Sequence, residues 1–346
     1  MFEAAIAAIA EAASHKAEMV PMVPGLTVHI DGDYLAYYAS GNDETEPGQA
    51  RQNAINLVQT FMGRIGAENA IVHNTAKGCQ KGERYLIATV KPYQGQRDSG
   101  RKPRNHAYLQ DWLQSYEGEL FRAKNWATRE ADDGMGACAH FAIGKAPGYA
   151  AIATADKDMR MLPGVHVNWR DPAKVTRVMP GDYDVRGEDG KQYGLKWFFL
   201  QMLMGDAADN CPGLEQYRHD NPDGSFHSFK KCGEKTAEKL LAHCADTRAA
   251  CEEVIRLYCR GYNSSLETAL DRFCEQAALM WMRLDNTASV ADFAHHAGFS
   301  RINHCFDNAV WAAVERLETR VRIAREQINA LCRQDDPRPA DCLAGR

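Results

Sequence analysis

The 346-residue chain carries 41 Lys and Arg against 46 Asp and Glu, a formal net charge of −5 at pH 7, and is 45% hydrophobic and 25% charged. That composition is ordinary for a globular protein and long enough for one large domain or two modest ones. No run of about 18 apolar residues occurs, so a membrane span is not expected. The eleven cysteines form no CxxC pair, which points to reduced thiols and a cytoplasmic setting.

In chain order, residues 1–25 open with an Ala/Ile run interrupted by Glu3 and Glu11 and preceded by no basic residue, so an amphipathic helix is expected rather than a signal peptide. Leu26 to Asp31 (LTVHID) is a β-rich run ending on a carboxylate, with Asp33 read as a turn or cap residue. Ala50 to Ile65 has helical periodicity, and Asn69 to His73 reads as a second strand. Residues 77–107 are polar, glycine-bearing and basic, the composition of a weakly ordered excursion. From Lys77 to Arg129 there are eleven basic and five acidic residues, a local charge of +6 in an acidic chain, which suits a phosphate-facing segment. Tyr108 to Tyr116 is helical, Glu130 opens a helix, and Tyr149 to Thr154 and Val165 to Trp169 are a third and fourth strand. After about residue 195 the pattern turns helical to Ala330, most clearly over Val310 to Cys332. Strands alternating with helices predict an α/β fold with a parallel sheet flanked by helices. Ligands bind outside the carboxyl ends of such strands, where Asp31 and the Asp156/Asp158 pair fall.

Acidic residues come as four clusters: Asp31-Gly32-Asp33, Glu130-Ala131-Asp132-Asp133, Asp156-Lys157-Asp158 and Asp206-Ala207-Ala208-Asp209. Glu130 with Asp133, and Asp206 with Asp209, are three apart, which on a helix places both on one side. Acids in a first helical turn also complement the helix dipole, a purely structural account of 130–133. Four clusters exceed what capping explains. Converging carboxylates repel and raise one another's pKa, and hard divalent cations with oxygen ligands resolve that conflict. A carboxylate cage for two Mg²⁺, with Mn²⁺ as a substitute, is therefore expected, the standard device for phosphodiester cleavage. GDAADNCPGLEQ followed by KKCGEKTAEKLL, with Gly233 ahead of a helix, reads as a helix–hairpin–helix able to hold a backbone phosphate through a monovalent cation.

These residues resemble the flap endonuclease and 5′-to-3′ exonuclease family, and among its members the free-standing bacteriophage exonucleases. The matching motifs are HIDGD (29–33), YQGQR (93–97), EADD (130–133), TADKD (154–158), YGL (193–195), GDAADNCPG (205–213) and CGEKTAEKLL (232–241), over roughly residues 26–245. The resemblance implies a nuclease core at 26–210, built on a PIN-like (Rossmann-like) parallel sheet, with a helical arch within 77–125, a helix–hairpin–helix duplex-binding region at 211–285, and C-terminal helices and tail at 286–346. It implies one metal ion framed by Asp31, Glu130, Asp132, Asp133 and Asp156, and another by Asp158, Asp206 and Asp209. Arg97 would contact the scissile phosphate, with Lys91 a further catalytic candidate. Arg84, Tyr93, Gln94, Arg101, Lys102, Gly233, Lys235 and Thr236 would contact DNA, with K⁺ at the hairpin. The partner would be DNA with a free 5′ end, flap or nick, or RNA in a hybrid, in a replication setting and in a host cytoplasm if viral. The chain departs from the family at Gln94, where lysine is usual, and at Asn74, where an aspartate is common, and carries an insertion at about 215–229. Two rivals remain: a non-catalytic structure-selective DNA-binding module, and a phosphatase using Asp31 as nucleophile.

Overall fold

The computed structural model describes residues 20–95, 101–145, 150–215, 217–262, 265–299 and 305–335. Residues 1–19 of the expected N-terminal helical segment, Arg97 and the end of the tail lie outside the described residues, while Val23 to Gly25, expected in that segment, begin a strand instead. Six strands form the central sheet: β1 (Val23–Asp31), β2 (Ala67–Thr75), β3 (Arg122–Trp126), β4 (Ala150–Thr154), β5 (Gly164–Asn168) and β6 (Val175–Val178). Their order is β3-β2-β1-β4-β5-β6, parallel throughout except for the antiparallel β5–β6 edge. The chain leaves β1 toward β2 and β3, then returns to β4 on the other side of β1. The crevice between the carboxyl ends of β1 and β4 is thus the point where strand order reverses, the usual ligand position in such sheets.

β1 and β4 are apolar because both faces are covered. In β4, Ala150 and Ile152 join one core while Ala151 and Ala153 join the other, the two-residue alternation of a strand. On one face pack α1 (Gly32–Ala39), α2 (Pro47–Ile65) and α4 (His106–Gln114), through Leu35, Val58, Phe61, Leu109 and Leu113. The short α3 (Arg84–Ile87) precedes α4 and leads into the second core through Ile87. On the other face lies α5 (Ala131–Lys145), joined in that core by α6 (Leu195–Met204), α7 (Glu234–Leu240), α8 (Thr247–Tyr262), α9 (Leu266–Met280), α10 (Asp292–His296) and α11 (Cys305–Asp335). Trp197 to Leu203 are all buried, so α6 is central to this layer.

Several features differ from the expectations. Asp31-Gly32-Asp33 starts α1 rather than a turn, because Asp31 Oδ1 accepts the Tyr34 N–H at 2.9 Å and so caps the helix. Strand β3 (RAKNW) is not legible in the sequence, since an edge strand has no apolar run to display. Within the stretch expected to form an arch, the described α-helices are the short α3 and α4, preceded by a 3₁₀ turn at Lys81–Glu83. Besides the small β7 (Val185–Arg186) and β8 (Gln192–Tyr193), a hairpin of β9 (Tyr217–Asp220) and β10 (Phe226–Lys230) fills the insertion. That hairpin, rather than a helix, precedes Gly233 and α7. Among the described residues no helix is long and apolar enough to cross a membrane.

Candidate metal centre

The start of α1 packs tightly against the end of β2. A Cβ on Gly32 would meet Asn74 Oδ1 at 2.2 Å and the His73 carbonyl oxygen at 2.5 Å. Only glycine lets the start of α1 lie against the end of β2, and this seats Asp31 and Asp33 at the rim. Asp33 Oδ1 accepts the Thr75 N–H at 3.1 Å. Asp31 Oδ2 accepts the Thr154 hydroxyl at 2.9 Å, tying β1 to β4, and Thr154 Oγ1 in turn accepts the Asp156 N–H at 3.0 Å. Asp156 Oδ1 then accepts the Asp158 N–H at 2.8 Å. The TADKD run is therefore a self-bonded turn that fixes its acids.

Ligand oxygens of Asp158, Asp206 and Asp209 lie within 4.8 Å of one another. Between two of them sits a cation of the chain's own: Lys157 Nζ donates to Asp158 Oδ1 at 2.8 Å and to Asp206 Oδ2 at 2.7 Å. Buried Gln201 also donates its amide to Asp158 Oδ1. An all-oxygen donor set already holding an ammonium fits a hard cation such as Mg²⁺. Asp206 and Asp209 share a loop rather than a helix, closed by paired hydrogen bonds between Asp206 and Cys211, both 2.8 Å. Gly205 allows that loop, with φ +72° and ψ 177°, a conformation reserved for glycine.

The other expected ligands adjoin this group without forming a second such cluster among the described residues. Burial, with the charge of Asp33, raises the Asp31 pKa to about 6. Burial raises Asp156 to about 6 as well, against its hydrogen bond from Asp158 and with the charges of Asp31 and Asp209 adding to it. Burial with the charges of Asp133, Glu130 and Asp156 holds Asp132 well above the ordinary range. Burial and the neighbouring Asp156 raise Asp158 to about 8. Burial also favours the neutral form of Asp206, but Lys157 overrides it and leaves that carboxyl below its ordinary value. The upward shifts come first from burial and then from neighbouring carboxylates, while only Asp206 is held down by a cation, Lys157.

Glu130 and Asp209 are joined by the adjacent Tyr93 and Gln94. The Tyr93 hydroxyl donates to Glu130 Oε2 at 2.8 Å and to Asp209 Oδ2 at 3.2 Å. The Gln94 amide donates to Glu130 Oε1 at 2.9 Å and to Asp209 Oδ1 at 3.0 Å. Lys81 Nζ donates to Gln94 Oε1 at 2.6 Å, bringing a cation to this position by way of the glutamine. Tyr93, expected to contact DNA, therefore spends its hydroxyl on the acids.

Two expected site residues are held elsewhere. Asp133 is fully buried, paired with both Nη atoms of Arg84 at 2.6 and 2.8 Å, and accepts the Arg283 N–H at 2.8 Å. Its oxygens are committed to protein partners, not turned to the cluster. Arg84, expected on the DNA-facing surface, is likewise buried, donating also to the carbonyls of Leu279 and Trp281 at 2.9 Å each. Lys91 and Lys102 are exposed, and Arg101 pairs with Asp43 at 2.5 Å on the surface. Gly233 caps α7, with Lys235 exposed and Thr236 half-buried in its first turn. Thr154 and Lys157 lie within the TADKD run, but the pattern assigns neither a role there, and nothing in the sequence places Gln201 or Lys81 in the site.

Replacing Lys157 by Gln should therefore lower the metal-free melting temperature and enlarge the gain on adding Mg²⁺, since the divalent ion no longer competes with the ammonium. The lost pairing should cost about 1–3 kcal/mol, between the values for exposed and buried ion pairs, because the lysine is partly exposed. An unchanged or smaller Mg²⁺ gain in thermal melts would contradict this.

The raised carboxyls also set a pH dependence. A carboxyl whose pKa is higher folded than unfolded makes the folded state bind more protons, so metal-free stability falls as pH rises from about 4 toward 6 for Asp31 and Asp156, and toward 8 for Asp158. A divalent ion must displace those protons. Its affinity should rise about tenfold or more from pH 6 to pH 8, with proton release visible in calorimetry in buffers of different ionisation enthalpy. A pH-independent affinity would exclude these groups as ligands.

No protein-family model matches the chain, and no curated protein matches it. Its fold is similar to solved structures from bacteriophage T5. One is a flap endonuclease variant in a pseudo-enzyme–product complex with DNA and metal ions, at 16% identity over 86% of this chain and 99% of that one, with a TM-score of 0.49. Another is the T5 5′-exonuclease with bound zinc, at 16% identity over 86% of this chain and 99% of that one, also at 0.49. A third is the T5 protein co-crystallised with metal ions, at 16% identity over 85% and 98%, with a TM-score of 0.48.

Proposed function

We propose that the protein is a divalent-metal-dependent nuclease that hydrolyses DNA phosphodiesters at a free 5′ end, flap or nick and leaves 5′-phosphate products. The observation that carries this reading is the Asp158–Asp206–Asp209 oxygen cluster at the strand-order reversal, bridged by the Lys157 ammonium. In this reading Asp158, Asp206 and Asp209 hold one ion, and Asp31, Glu130, Asp132 and Asp156 supply the remaining carboxylates for another. An ion held there would supply Lewis-acid activation of the attacking water and charge stabilisation for the leaving 3′-oxygen. The chain's own residues orient this set: Thr154 fixes Asp31 and the Asp156 turn, Gln201 fixes Asp158, and Tyr93 and Gln94 hold Glu130 against Asp209. Arg97, Lys91, Arg101 and Lys102, from the basic stretch, and Gly233, Lys235 and Thr236, at the start of α7, are the proposed phosphate contacts, with K⁺ at the latter.

The Asp-nucleophile phosphatase is disfavoured because it gives no role to Asp132 or to the bridge from Glu130 to Asp209 through Tyr93 and Gln94. Cleavage of 5′-labelled and 3′-labelled flap, nicked and blunt duplexes, with Mg²⁺, Mn²⁺ and EDTA arms, tests the proposal. Metal-dependent loss from the 5′ side is the expected result. Binding with no cut in either metal would replace it with the non-catalytic binding module.

A further inference from the structure

The insertion at 215–229 has no part in the metal centre, yet its geometry is specific. Phe226 and Phe229 are three residues apart, so in a regular strand their side chains would point to opposite faces. A bulge interrupts the register between Phe226 and Ser228, shifting the alternation by one residue. The two rings consequently meet on one face, with centroids 5.1 Å apart, while remaining 50% and 44% exposed. Bulges that re-aim a side chain are typical of functional edges, and this one presents two aromatic rings to solvent rather than to a core.

The charge around the rings is cationic. β10 and the residue after it, FHSFKK, contain no acid and end on exposed Lys230 and Lys231, directly before Cys232 and Gly233. The Arg218 guanidinium lies 5.5 Å from the Phe226 ring centroid. The acid on the partner strand, Asp220, is neutralised by Arg218 at 2.7 Å and by Arg260 of α8 at 3.0 Å. That second pair moors a hairpin which, as two strands alone, would be marginal. Asp223, in the turn, binds the Ser225 N–H and hydroxyl at 2.9 and 2.6 Å.

We infer that the β9–β10 hairpin is a stacking platform for unpaired bases of the nucleic acid, with Phe226 and Phe229 as the base contacts and Lys230 and Lys231 tracking the backbone. Paired exposed aromatics beside lysines are how sequence-tolerant single-strand binders engage bases, each stacked base contributing about 1–3 kcal/mol. The inference rests on the nuclease reading for the presence of nucleic acid, and adds which part of it the hairpin grips.

The test is equilibrium binding by fluorescence anisotropy in EDTA, so that no cleavage occurs, with the full chain and its Phe226→Ala/Phe229→Ala double variant. The probes are a blunt duplex and duplexes with single-stranded DNA or RNA extensions carrying 2-aminopurine. The double variant should bind the extended duplexes at least tenfold more weakly, the blunt duplex within about twofold of wild type, and should lose the stacking quench of 2-aminopurine. Phe226→Tyr/Phe229→Tyr should restore both. Equal affinity of wild type and the alanine variant for extended duplexes overturns the inference alone, as does an equal loss on the blunt duplex with the melting temperature unchanged. Failure of the wild type to bind any of the probes overturns the underlying reading instead.

Discussion

Asp206→Asn should reduce divalent-ion affinity and metal-dependent cleavage together, by at least about 10- to 100-fold, while leaving the fold intact. Loss of an outer-shell partner alone typically costs 10- to 100-fold in metal affinity or activity, and a direct ligand is expected to cost no less. The backbone there is set independently of the side-chain charge, by the paired hydrogen bonds between Asp206 and Cys211. Asparagine also keeps the Oδ1 acceptor that receives the Ala208 N–H at 2.8 Å. What it removes is the oxygen that meets Lys157, and with it a unit of negative charge from the cluster. Calorimetric Mg²⁺ titration, cleavage of a 5′-labelled flap and far-UV circular dichroism separate these effects. Wild-type cleavage by the variant would sink the metal-centre assignment, whereas lost cleavage with unchanged metal affinity would move Asp206 out of the ligand set.

The parts of this architecture that follow from local pattern are legible in the amino-acid sequence alone. β1, β2, β4 and β5 are apolar runs because neighbours cover both faces of the sheet, and α2 declares itself through Val58 and Phe61 on one stripe. The capping geometry at Asp31 is also present in the sequence, as an acid three residues ahead of Tyr34, but a glycine between two acids reads more readily as a turn. Convergence of Asp158, Asp206 and Asp209 follows from the acids' places at strand ends and in one loop. The occupant of that convergence does not, because Lys157 reaches a partner 49 residues away. The hardest residues to read are the buried ions. Arg84 sits in a basic stretch whose net charge argues for a phosphate-facing surface, and its burial depends on carbonyls 195 and 197 residues distant. Periodicity carries no information on such a pairing.

Arg84→Leu distinguishes the two accounts of this residue by opposite outcomes. As a surface contact to DNA, its loss would weaken binding and leave unfolding unchanged. As observed, its guanidinium pairs with Asp133, donates to Leu279 and Trp281, and contacts Glu130 at 3.3 Å, so it fastens the start of α5 to the C-terminal end of α9. The substitution leaves a fully buried Asp133 without its cation, and removing one partner of a buried pair costs about 3–5 kcal/mol. The two carbonyls also lose donors that water cannot easily replace at this depth. Stability should fall by about that amount in urea unfolding, read as a lower midpoint at unchanged slope. Adding Asp133→Leu should recover part of the loss, since two apolar side chains replace an ion pair rather than orphan one member. The metal centre should loosen as well, because Glu130 bonds Arg84 on one side and Tyr93 and Gln94 on the other. An unchanged unfolding midpoint with weakened DNA binding would return Arg84 to the surface and undo the reading of Asp133 as its structural counter-ion.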